Sequence, residues 1–268
     1  YGMCAEPSGF GCRVRFLEDK TPLAYPMLSS IDEIDSLKQP DPTKDGLMPF
    51  VLNLYRYAAP RLKDQGHLIK VVAARGPMAT ASHVLGVTEF LLGLKLAPEK
   101  AHQFLKMTTQ LTIEWLQAQA EALPDVEGVM VLDDLVGFLS PKDYEEFGHP
   151  YFKEIFQAFP NAIRMFHNDT DNPVSYPYLK DWPVDIFNFT FKYGVDEVRE
   201  QVGPDVCLMG NLGPLNVLAS ATPDEVRGLV GWIRKAHPGP GLILSAGGGV
   251  SPGTPGENIR AMIEAARA

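Results

Sequence analysis

Gly128-Val129-Met130-Val131-Leu132, running into Asp133-Asp134, is the stretch on which the fold turns. Apolar residues in succession, with no polar alternation, mark a strand covered on both faces, and the acidic pair marks where it leaves the sheet. The same pattern recurs. Val71-Val72-Ala73-Ala74 leads into Arg75-Gly76-Pro77, and Ala162-Ile163-Arg164-Met165-Phe166 into His167-Asn168-Asp169. Asp185-Ile186-Phe187-Asn188-Phe189 follows, then Val206-Cys207-Leu208-Met209 before Gly210-Asn211. Gly241-Leu242-Ile243-Leu244-Ser245 comes last and ends near Gly247-Gly248-Gly249.

Helices are expected between these strands. Ser140-Pro141-Lys142-Asp143, Thr222-Pro223-Asp224-Glu225 and Thr254-Pro255-Gly256-Glu257 share one start signal. A hydroxyl caps, proline pre-sets φ at the first helical position, and an acid meets the helix dipole. From about Pro98 to Ala122, Phe104, Leu105, Leu111, Trp115 and Leu116 recur at helical spacing and read as a core stripe. Residues 38–46 read as a linker.

Alternating strands and helices leave an open doubly wound sheet or a closed barrel. No G-x-G-x-x-G follows an early strand, so a dinucleotide fold lacks its fingerprint. A Gly-rich loop after the last strand suits a barrel, where it commonly builds a ligand site. The 268 residues, 45% hydrophobic and 21% charged, suit one barrel-sized domain spanning 1–268. A net charge of −9 disfavours nucleic-acid binding. Cys4, Cys12 and Cys207 form no disulfide framework, which points to a reducing cytoplasm. No apolar run reaches the roughly 18 residues of a membrane helix. Tyr1 reads as lying just past a strand, so at least the first strand is expected to be missing.

The later segments resemble a known family. Gly210-Asn211-Leu212-Gly213-Pro214 with Thr222-Pro223-Asp224-Glu225, and Leu242 to Val250 with Thr254 to Met262, are similar to uroporphyrinogen decarboxylase-like proteins. So are Gly76-Pro77-Met78 to Ser82, and Ser140-Pro141 through Tyr144-Glu145-Glu146-Phe147. The resemblance implies a (β/α)8 TIM barrel and two chemistries. One is decarboxylation of uroporphyrinogen. The other is methyl transfer in corrinoid pathways, usually assisted by zinc. The register puts Gly2 where the decarboxylases carry an Asp for the pyrrole N–H groups. Met3 and Glu6 are more like the equivalent loop of the methyltransferases.

The thiol-activating methyltransferases hold zinc with His-x-Cys and a Cys in the last Gly-rich loop. This chain reads His167-Asn168-Asp169 and Gly248 there, without either thiolate. Either no zinc is held, or the ligand set is harder: His167 and Glu146 with Asp133 or Asp134, whose order resembles the carboxylate-and-histidine arrangement of corrinoid-dependent O-demethylase methyltransferases and implies Zn(II) acting on an ether or alcohol oxygen. His167, Asp133 and Asp134 are the candidate catalytic residues, and Arg75, Asn211, Met3, Glu6, Gly247 and Gly248 the candidate substrate contacts. His167 also reads as an acid/base group, or as a strand-end histidine bonded to Asp169 or Asp133. The expected function is transfer of a methyl group from a small O-methyl donor to a corrinoid protein. The alternatives are a carboxy-lyase and a non-catalytic partner protein.

Overall fold

The computed structural model describes residues 2–18 and 20–268, with Met3 described in its backbone alone. The chain forms two compact units, Tyr1–Arg164 and Met165–Ala268.

The first unit opens with helix α1 (Ala5–Phe10) and a short antiparallel pair, β1 (Val14–Arg15) and β2 (Leu23–Ala24). Helix α2 (Met48–Asp64) and strand β3 (Val71–Arg75) follow, then α3 (Pro77–Leu85), α4 (Val87–Leu96) and α5 (Pro98–Glu121). Strand β4 (Gly128–Leu132), α6 (Pro141–Phe147) and α7 (His149–Gln157) complete it. β3 and β4 pair in parallel from Val71↔Gly128 to Arg75↔Leu132, so their C-terminal ends are level. The stripe expected on α5 is buried throughout: Phe104, Leu105, Leu111, Trp115 and Leu116. Two polar side chains of α5 serve β3. Gln119 donates to the Ala73 carbonyl at 3.0 Å and Thr112 to the Arg75 carbonyl at 3.1 Å. Buried carbonyls left without donors are costly, so these bonds fix the helix against the strand.

The second unit takes up strand β5 (Ile163–Asn168), which begins just ahead of it, then β6 (Ile186–Phe189) and α8 (Val195–Val202). β7 (Cys207–Leu212), α9 (Pro223–Ala236), β8 (Leu242–Ala246) and α10 (Gly256–Arg267) close the chain. Neighbouring strands from β5 to β8 are parallel. Leu212 and Ala246 from the strands meet Val226, Val230, Ile233 and Ala261 from α9 and α10, forming one apolar cluster.

Two helix starts follow the sequence signal. Ser140 Oγ accepts from Asp143 N at 3.2 Å, and Thr222 and Glu225 form a reciprocal capping box. The third departs from it. α10 starts after Pro255 with no side-chain cap, because the Thr254 hydroxyl donates to Ser251 O at 2.7 Å instead. Two strands also run further than expected, β5 through Asn168 and β7 through Leu212. His167 and Asn211 are therefore ladder residues, not turn residues. No helix among the described residues is long and apolar enough to cross a membrane.

Candidate metal and substrate site

His167, the penultimate residue of β5, lies opposite Asn188 of β6 in the parallel register. Their side chains meet: His167 Nδ1 and Asn188 Oδ1 are 2.6 Å apart. The other end of the amide fixes its orientation. Asn188 Nδ2 donates to Met209 O at 2.8 Å and to Ala246 O at 3.3 Å. With the amino group committed to two carbonyls, Oδ1 is the acceptor. His167 then donates through Nδ1, and in the neutral imidazole the lone pair sits on Nε2, the form that ligates a metal or accepts a proton. Both side chains are buried.

Asp169 follows two residues later. Its carboxylate and the ring of His167 offer ligand atoms within 4.8 Å of each other. The loop around it is tied down. Asn168 Oδ1 accepts from Thr170 N at 3.1 Å and Thr170 Oγ1 at 2.7 Å, while Asn168 Nδ2 donates to Ser175 Oγ at 3.1 Å. The Tyr193 hydroxyl donates to Asp171 O at 2.5 Å.

The Gly-rich loop after β8 comes against this segment. Gly248 has φ +113°, and a Cβ built on it would stand 2.1 Å from Asp169 Oδ2. The Asp169 carboxylate thus fills the space that a side chain at 248 would take. At Gly247 the constraint is backbone approach, since a Cβ there would lie 2.4 Å from Phe191 N. An imidazole nitrogen beside a carboxylate oxygen suits a divalent ion of borderline or hard character. The cradle at Gly248 and the fixed tautomer of His167 both fit such an ion.

The other sequence-expected residues divide. Asn211 donates to Tyr193 O at 2.6 Å and lines a cavity of about 530 Å³ with Phe191, Gly213 and Trp232. In the first unit, Asp133 is 1% exposed and its oxygens are taken. Oδ2 accepts from Met78 N and Ala79 N, both at 3.0 Å, and Oδ1 from Leu135 N at 3.2 Å. The expectation of Asp133 as a ligand is corrected accordingly: it clamps the first turn of α3, whose N–H groups need acceptors. Burial pushes its carboxyl up to about 7. Asp134, next in sequence, is exposed. Glu146 is also corrected as a ligand. Its carboxylate lies 3.7 Å from His102 Nε2, between α6 and α5. Within the second unit the carboxylate that stands with His167 is Asp169, which the sequence offers only as a hydrogen-bond partner of a strand-end histidine.

Glu6 is 1% exposed, and its Oε1 accepts from the Arg75 backbone N–H at 2.7 Å. Burial pushes its carboxyl up to about 7. The side chain of Met3 lies outside the described residues.

The sequence model of the family described as uroporphyrinogen decarboxylase (URO-D) matches residues 1–268. The chain belongs to that family. The URO-D match runs across both compact units. A uroporphyrinogen decarboxylase of Anaeromyxobacter sp. (strain Fw109-5) is 28% identical over 92% of this chain and 70% of its own length. A methylated-thiol–coenzyme M methyltransferase of Methanosarcina mazei is 24% identical over 100% of this chain and 71% of its own length. Among solved structures, a methyltransferase from Methanosarcina mazei superposes with a TM-score of 0.86 at 19% identity, covering 100% of this chain and 78% of that one. At that identity the likeness shows the fold: mixed α/β of the TIM-barrel type, with parallel strands alternating with helices. The URO-D family thus contains both decarboxylases and methyltransferases.

Proposed function

We propose that this chain is the methyl-transferring kind of URO-D protein. It takes a methyl group from an O-methyl or similar small donor and passes it to a corrinoid protein, with a divalent ion at His167 and Asp169. The observation that carries this reading is the Asp169 carboxylate beside a tautomer-fixed imidazole, in the space a side chain at Gly248 would need. A methyl ether is a poor donor until its oxygen is polarised; His167 and Asp169 would hold the Zn²⁺ ion that would supply that polarisation. The methyl–oxygen bond would break with its electron pair left on oxygen, while the reduced, nucleophilic corrinoid of the partner protein contributes the pair that forms the new bond to the methyl group. Asn188 holds the imidazole by Nδ1, which would leave Nε2 as the atom offered to the ion. The buried position of His167 keeps its surroundings low in dielectric, where charge interactions are stronger.

The methyltransferase named among the relatives supports this reading, as does Gly2 in the register position of the decarboxylases' Asp. The rival is decarboxylation of a porphyrin-related substrate, favoured by the names of other relatives. Elemental analysis of the purified protein, paired with corrinoid-dependent methyl transfer over a panel of O-methyl compounds, separates the two. One ion per chain is expected, together with loss of both ion and transfer in a folded His167→Ala variant. Metal-free protein that releases CO₂ from uroporphyrinogen would overturn the proposal.

A further inference from the structure

No step of methyl transfer uses the cavity of about 530 Å³ between the start of α8 and α9, all of it within the second unit. Its volume is that of a small-molecule pocket. Val217, Leu229 and Ile233 give it an apolar wall, and Phe191 and Trp232 give it two aromatic rings. The rings differ. Lys192 Nζ stands 5.3 Å from the centre of the Phe191 ring and 4.0 Å from Asp171 Oδ2, so Phe191 already has a cation. Trp232 is 65% exposed, and among the described residues it has no ring, cation or hydrogen-bond contact. α9 buries Val226, Val230 and Ile233 in the core, so the indole adds nothing to the helix's inner face. An open indole at the rim of a cavity is an anchor for a ligand.

The acids on the wall say which ligand. Asp196 and Glu197, in the first turn of α8, line the cavity, and no lysine or arginine is among its lining residues. Each carboxylate has an oxygen to spare. Glu197 Oε2 accepts from Gly194 N at 3.4 Å, which leaves Oε1. Asp196 Oδ1 lies 3.4 Å from His237 Nδ1, which leaves Oδ2. Asn211, also on the wall, gives its amino group to Tyr193 O at 2.6 Å, so its amide oxygen is a further acceptor. Acceptors and an indole face both favour a positively charged donor, and an anion would meet two carboxylates.

We infer that this cavity is a second ligand site, for a primary ammonium carried on a flat apolar body. The ammonium donates to Asp196 and Glu197, and the body lies against Trp232. A primary ammonium has three N–H donors to share among such acceptors. The inference does not rest on the methyl-transfer reading.

The test titrates the full chain at low salt with three probes of one ring and different charge: tryptamine, the neutral tryptophol and the anionic indole-3-acetate. The indole N–H resonances are followed in the same titrations, because Trp115 and Trp182 are buried and Trp232 is exposed. Tryptamine should bind with Kd of about 1 mM or tighter, tryptophol about tenfold more weakly, and indole-3-acetate more weakly still. The Trp232 resonance should shift. Asp196→Asn with Glu197→Gln, which keeps an acceptor for Gly194 N, should abolish the preference for tryptamine and leave tryptophol unchanged. Trp232→Ala should weaken tryptamine about fivefold, and about 0.5 M NaCl should remove most of its advantage. Melts confirm that each variant is folded, and the three-probe comparison on wild type needs no variant. Equal affinity for the three probes overturns the inference. So does a Trp232 resonance that stays still, or tryptamine that fails to bind at about 10 mM. None of these outcomes bears on His167 and Asp169.

Discussion

Gly248→Ala tests the contact on which the metal reading depends. The added Cβ would meet Asp169 Oδ2 at 2.1 Å, Cγ at 3.1 Å and its Cβ at 3.3 Å. The first distance is short of van der Waals contact by roughly 1 Å or more, so the carboxylate has to move by about that amount. Backbone strain adds to this. At φ +113° an alanine pays a conformational penalty of about 1–2 kcal/mol that glycine does not. Overpacking against a pinned loop adds about 1–3 kcal/mol. A melting temperature lower by roughly 5–15 °C follows for a chain of this size. Metal affinity should fall as well. Disturbing the support of a ligand costs about 10–100-fold in metal affinity. The assay is a zinc titration beside thermal melts, for Gly248→Ala, Asp169→Gly and the double variant. In the Asp169→Gly background the contact no longer exists, so Gly248→Ala should cost only its backbone penalty, and the cycle should show coupling of about 1 kcal/mol or more. Gly248→Ala protein that binds zinc like wild type, with additive melts, would refute the claim that Asp169 is held in that space.

Three further outcomes are expected. Asn188→Ala removes the acceptor for His167 and the donor to two carbonyls, and should lower zinc affinity about 10–100-fold with a loss of about 1–3 kcal/mol in stability; an unaltered zinc isotherm would contradict it. Glu6 and Asp133 both have folded values of about 7, above their unfolded values, so each contributes stability fully present below about pH 4 and lost as pH rises through 7. Melts between pH 5 and 8 should therefore decline toward pH 8 from these groups, and Glu6→Gln should flatten the slope; an unchanged slope counts against a buried neutral Glu6. Thr222→Ala removes the α9 capping box and should cost about 0.5–2 kcal/mol in denaturant unfolding, with zinc content untouched.

Much of the fold could be read because parallel, doubly covered strands have to be continuous apolar runs. Gly128–Leu132 emerges with the bounds its composition implies, and the α5 stripe is buried as its spacing requires. Strand ends were harder. Polar residues such as His167, Asn168 and Asn211 look like turn residues in sequence, yet they continue the ladder, because their side chains are satisfied by neighbours that sequence cannot supply. The capping failure at Thr254 has the same origin: a local acceptor, Ser251 O, competes for the hydroxyl. At the site, His167 was visible as a histidine at the end of an apolar run. Asp133 and Asp134 look equivalent, and only the α3 N–H groups show that Asp133 is spoken for. Asp169 and Asn188 carry no signal separating them from turn and strand polar residues. Gly248 does carry one in hindsight, a left-handed glycine opposite an acid, but only the tertiary contact pairs it with position 169.

The Asn188 amide touches β5 through His167, β7 through Met209 and β8 through Ala246. Protonation of one ring nitrogen is thereby mechanically linked to the spacing of four adjacent strands. Loosening anywhere along that seam would free the imidazole to exchange tautomers before the sheet itself came apart. The nitrogen resonances of a single histidine would then serve as an early gauge of breathing in this half of the molecule, well below its melting temperature.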